Sequence, residues 1–128
     1  MSYYFSKKIH DTLDRVEEKV RAILKEEGFG VLTEIDVQET LRKKLDVSFY
    51  RYKILGTCHP AFAYKALQAE DKIGTMLPCN VIIQEKREGE VEVSAIDPVA
   101  SMKAIENPVL FEIAQQVQRK LQKVVMSL

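Results

Sequence analysis

The chain has 128 residues, 46% of them apolar, a proportion suited to one domain closing over one core. Its 19 basic residues cancel 19 acidic ones, so no overall field selects nucleic acid or an anionic membrane, and neither is expected as a partner. Apolar runs are only a few residues long against the ~20 a membrane span needs, and two cysteines do not make a secreted disulfide scaffold.

The opening stretch, MSYYFSKKIHD, has no apolar signal core, and a cytoplasmic location is expected. No repeat, low-complexity segment or Gly/Ser linker interrupts the sequence, so it reads as a single domain over 1–128. Tyr3, Phe5 and Ile9 share one face of a first strand, with Tyr4, Ser6, Lys8 and His10 on the other. Asp11 reads as an N-cap and Asp14 as first-turn acid of a helix over 12–27, with Leu13, Val16, Val20, Ile23 and Leu24 at helical spacing. Gly28 stops it, since glycine tolerates the left-handed conformation that closes many helices.

A short strand from Phe29 ends at Asp36, which opens the capping box Asp36-Val-Gln-Glu39 of a short helix with Leu41 and Leu45 as its apolar face. SFYRYKILGTC alternates Tyr50, Tyr52 and Ile54 against Phe49, Arg51, Lys53 and Leu55, a strand with one well-buried face. Pro60 suits the first position of a helix whose inner stripe is Phe62, Ala63, Ala66 and Leu67. Pro78 to Glu85 and Glu90 to Ile96, joined by Lys86-Arg-Glu-Gly89, form the clearest hairpin. Asp97-Pro98 starts a short helical segment through Ile105. Asn107-Pro108 caps a last helix carrying Leu110, Ile113, Val117, Leu121 and Val124. The order β-α-β-α-β-α-β-β-α predicts an α+β domain, a mostly antiparallel sheet backed by two long helices.

That topology locates a site without a motif. If the strands near 49–57, 78–86 and 90–96 are sequential neighbours, the end of the first, the start of the second and the end of the third share one edge of the sheet. Cys58, His59, Cys79 and Asp97 occupy those positions. Cys58 also precedes a helix whose terminal N–H groups favour an anion, which predicts a depressed thiol pKa, with His59 beside it as proton acceptor.

Other readings stay open. Unmodified cysteines are among the most buried residue types and often only fill space. Zinc on Cys58, His59 and Cys79 would need a fourth ligand from Asp97, His10 or a neighbouring subunit, and no Cys-x-x-Cys or His-x-x-x-His supports it. A Cys58–Cys79 disulfide would be transient in a reducing cytosol. A cysteine hydrolase would need Asp97 or Asn80 to orient His59. His10 reads as a solvated or capping residue, Tyr50 and Tyr52 as core or interface. No phosphate loop or paired-carboxylate spacing occurs, and the residues name no cofactor.

The chain closely resembles the uncharacterised domain-of-unknown-function family 302. The resemblance is carried by Glu27-Gly-Phe-Gly-Val-Leu-Thr-Glu-Ile-Asp-Val37, by Ile54-Leu-Gly-Thr-Cys-His-Pro60 with Ala63 and Ala66-Leu67, and by Leu77-Pro-Cys-Asn-Val81. Asp97-Pro98 with Met102 also fits, and the match runs from about Tyr4 to the last helix. It implies a TATA-binding-protein-like α+β fold, a curved antiparallel sheet backed by helices, and a homodimer. The fold name does not imply DNA binding, and zero net charge argues against it independently. Cys58, Pro60, Pro78, Cys79 and Asp97 carry over as motif positions without assigned roles. Asparagine commonly stands at position 59 in such sequences, which counts against His59 as an indispensable base or ligand. The resulting expectation is small-ligand or thiol/redox-responsive binding near Cys58 and Cys79. The alternative is a homodimeric structural or interaction module, and a cysteine-dependent enzyme ranks below both.

Overall fold

Five stretches rich in β-branched and aromatic residues pair into one sheet in the computed structural model, which describes residues 2–128. They are β1 (Tyr4–His10), β2 (Gly30–Asp36), β3 (Arg51–Cys58), β4 (Cys79–Arg87) and β5 (Glu90–Ile96), in the spatial order β1-β5-β4-β3-β2. Every neighbouring pair is antiparallel. The helices are α1 (Leu13–Glu26), α2 (Val37–Leu45), α3 (Pro60–Ala69), α4 (Pro98–Ser101) and α5 (Pro108–Met126), and a 3-10 segment, Asp71–Met76, precedes β4. The fold is α+β, in the predicted order with two short additions, the 3-10 segment and α4, the turn foreseen after Asp97-Pro98, which ends at Ser101 and not at Ile105. None of its helices is long and apolar enough to cross a membrane, among the described residues.

One face of the sheet is covered by α1 and α5. Val16, Val20 and Leu24 of α1 and Leu121 and Val124 of α5 project from single helical stripes, all at 0% exposure. They meet the alternate residues Leu55 of β3, Val81 and Ile83 of β4, and Val91 and Val93 of β5. Each such side chain contributes about 1.5–3 kcal/mol by leaving water. The other face carries Tyr4, Tyr52, Ile82 and Gln84, and among the described residues no helix lies over it.

Three local expectations need correction. The N-cap of α1 is Thr12, whose hydroxyl accepts from the Arg15 N–H at 3.3 Å; Asp11 is still held by the hairpin end, its N–H donating to the Gly89 carbonyl. At α2, Asp36 accepts from the Glu39 N–H, but the Glu39 carboxylate turns to Arg42 and Lys43, so only half a capping box forms. The Leu41/Leu45 face finds no core: α2 packs at the edge on β2 and β3, no residue of it is buried, and Leu45 is 66% exposed.

On β3 the buried face is the one bearing Leu55 and Thr57. Arg51 and Lys53 lie on that same face and reach α1 through Arg51–Asp14 at 3.1 Å and Lys53–Glu17 at 2.7 Å. Burial raises the Glu17 pKa, but hydrogen bonds from Lys53 and Arg21 outweigh it and hold the carboxyl below its ordinary 4.5. A carboxyl depressed in the folded state stabilises the fold fully above its unfolded pKa, and that stability is lost as pH falls through the folded value. Urea midpoints measured from neutral pH down through the carboxylate range should fall less steeply in Glu17→Gln than in the parent. Parallel acid limbs would show that the pair contributes nothing.

Candidate functional site: an apolar cleft at the ends of β3 and β4

The strand that ends at Cys58 passes through His59 into α3, where Pro60 takes the first turn with no N–H to leave unpaired. The chain returns through the 3-10 segment and a cis Leu77–Pro78 peptide to Cys79, which pairs with Thr57 across β3 and β4. Beneath α3 runs the first half of α5. Ala63 and Ala66 on one helix and Ala114 on the other are too small to fill the space between them, and a cavity of about 310 Å³ opens there.

Its walls are Phe62, Ala63, Ala66 and Leu67 of α3, and Leu110, Ile113, Ala114 and Val117 of α5. Thr57, Cys58 and Cys79 close the sheet end, and Phe29, Leu32, His59, Leu77, Pro78, Pro98 and Met102 complete the lining. No charged residue is among them. The Thr57 hydroxyl donates to the Cys79 carbonyl at 2.9 Å and so offers its proton to nothing inside.

Both cysteines are free and line this one cavity. Neither is activated. Burial raises the Cys58 thiol above its ordinary value of 9.0, contrary to the expectation of a depressed pKa. The helix start was real, but Cys58 lies one residue outside the N-cap His59 and half-buried among apolar side chains, where desolvation decides. Cys79 is pushed up to about 11, by burial first and then by a neighbouring charge on Cys58.

His59 is not poised as a base. Its ring packs against Phe62 at 4.4 Å between centroids and edge-on to Phe29 at 5.4 Å. Nδ1 is buried with no hydrogen-bond partner, while Nε2 faces Gly28 so closely that a β-carbon there would stand 2.7 Å away. Burial lowers its pKa, Lys120 lowers it further, and its own main chain offsets this in part. Among the described residues no three of His, Cys, Asp and Glu converge as a metal site, so Cys58, His59 and Cys79 share a cavity without forming a cage.

Asp97 is drawn elsewhere. Its carboxylate accepts from the N–H groups of Val99 at 3.0 Å and Ala100 at 3.4 Å, capping α4, and from Gln118 Nε2 at 3.0 Å, tying that turn to α5. It acts as a cap, and the following residue, Pro98, is the one that reaches the cavity. Pro60 is exposed and outside the lining; Pro78 lines it and also packs against Gly56, where a β-carbon would meet Thr33 and the Pro78 ring. His10 is exposed at the far end of β1, paired with Glu90. Sequence reasoning missed Phe29, Leu32, Met102 and the α5 wall as site residues. Only the alanines at 63, 66 and 114 hinted at empty space.

A search of curated proteins finds no match. The crystal structure of an uncharacterized conserved DUF302 protein from Bacillus stearothermophilus is similar over 98% of both chains, with 25% sequence identity and a TM-score of 0.90. The family model described as "Domain of unknown function DUF302" matches residues 5–128. With nearly its whole length matched, the chain belongs to the DUF302 family.

Proposed function

We propose that this protein binds a small molecule in the cleft between α3, α5 and the ends of β3 and β4. The observation that carries the reading is the cavity itself, about 310 Å³ of space held open beside a packed core. Protein interiors are otherwise close-packed, and holes of this size lose dispersion contacts unless something fills them. Redox response and cysteine catalysis have less support, because both thiols are held protonated and the histidine is clamped between rings.

Native mass spectrometry of gently purified, untagged protein tests the proposal. A non-covalent adduct is expected on the parent chain and not on Ala63→Phe, which fills the cavity. A bare mass, together with no rise in Tm across a panel of apolar compounds, would remove the reading.

The homodimeric module is the second reading, and the uncovered face of the sheet favours it. Tyr3 and Tyr4 are 64% and 42% exposed there, near Tyr52, Ile82 and Ile96. The same face presents Lys8 and Lys86 beside Glu90 and Glu92, so a second copy turned by a two-fold could match charge to charge. Sedimentation of the parent and of Tyr52→Glu distinguishes this from a monomer.

A further inference from the structure

We infer that the ligand of this cleft is an uncharged, largely apolar molecule that enters between Leu32 of β2 and Leu67 of α3. The inference rests on the small-molecule reading and adds the ligand's class and its route.

The route follows from exposure. Residues that line a cavity and also face solvent mark its mouth. Leu32 is 66% exposed and Leu67 44%, whereas Leu110 is 1%, Ala114 2% and Val117 8% exposed at the floor. The pairing of β2 with β3 shifts between Val31 and Thr33, so Leu32 stands at a bulge, a device that re-aims a side chain out of the strand pattern. A large apolar side chain held out over an apolar opening is placed to greet an apolar guest.

The class follows from the wall. A charged guest gives up its hydration and must recover it from the protein. Here no lining side chain carries a charge, the Thr57 proton is committed to the Cys79 carbonyl, and the thiols stay neutral. His59 Nδ1 is closed off even from water, so it offers nothing unless the ring turns. Lys120, the cation whose charge acts on His59, lies outside the lining and within 3.9 Å of the Glu27 carboxylate. The first turn of α3 gives an anion little inside: Pro60 has no N–H and the exposed Ala61 does not line the cavity, which leaves the Phe62 N–H as the one helix-end donor on a lining residue. The space, about 310 Å³, equals roughly ten liquid-water volumes, enough for two fused rings with a third linked to them.

A matched pair of fluorescent probes tests both parts. N-phenyl-1-naphthylamine is neutral, and 8-anilino-1-naphthalenesulfonate is the same skeleton with a sulfonate. Titrations should show saturable, blue-shifted binding of the neutral probe, abolished in Ala63→Phe, with the anion weaker by about 100-fold or more. Equal affinities, both abolished in Ala63→Phe, would overturn the uncharged class while leaving a small-molecule site standing. Binding of neither probe to the parent chain would remove the reading and the inference together. Leu32→Arg, at an exposed position where folding is not at stake, should narrow the gap between the probes by about tenfold. An unchanged ratio would put the mouth elsewhere.

Discussion

Gly28→Ala is expected to cost about 2–4 kcal/mol of folding stability, although residue 28 is exposed and buries nothing. Two separate effects add. Gly28 closes α1 with φ at +87°, in the left-handed region where any β-carbon crowds its own carbonyl, for about 1–2 kcal/mol. The new carbon would also meet His59 Nε2 at 2.7 Å and Cδ2 at 3.1 Å. That ring cannot retreat cheaply, because Phe29 stands edge-on to it at 5.4 Å and Phe62 packs against it at 4.4 Å between centroids. Overpacking of this kind costs roughly another 1–2 kcal/mol. A double-mutant cycle separates the two: in a His59→Ala background the steric part should vanish and the backbone part remain. Urea unfolding of the four proteins measures this. A coupling energy near zero would show that the ring moves freely and that His59 is not clamped.

The fold was legible where two levels of signal agreed. Asn107-Pro108 announces α5 because an amide cap and a donor-free first residue satisfy one helix end from either side of its start; Asn107 does accept from the N–H groups of Val109 and Leu110. The hairpin of β4 and β5 was equally plain, though pairing runs on to Arg87 past a register shift, leaving Glu88 and Gly89 as the turn. Cys58 and Cys79 could be brought together from strand adjacency alone, and the pairing of Thr57 with Cys79 places them so. What failed did so for lack of a partner's identity. Asp97 shows the same residue type whether it caps or reacts, and only Gln118, 21 positions later, decides. The α2 stripe has good period, but a stripe is buried only if an element lies across it. The cavity is a deficit of volume summed over α3 and α5, and no single residue records it. Periodicity reports faces and caps; it does not report what stands opposite.

Above neutrality the second large effect should appear, and Cys79 carries it. Its thiol is pushed from 9.0 up to about 11 in the folded chain, so between those values the unfolded state gives up a proton that the folded state retains. A group with its folded pKa raised contributes fully below the unfolded pKa and loses that contribution as pH rises through the folded one. Stability should therefore decline by about 1.4 kcal/mol per pH unit across this window, about 2–3 kcal/mol in all. Cys58 and Tyr52, both raised by burial, act in the same direction, so the parent curve alone does not isolate Cys79. The slope in Cys79→Ala does. That variant loses some packing at every pH, which shifts its curve down without tilting it, and its decline over the alkaline window should be the shallower by most of the Cys79 share. Urea midpoints under reductant provide the measurement. Parallel curves would mean that the cleft admits enough water to let Cys79 ionise normally, and the dry wall on which an uncharged ligand depends would be gone with it.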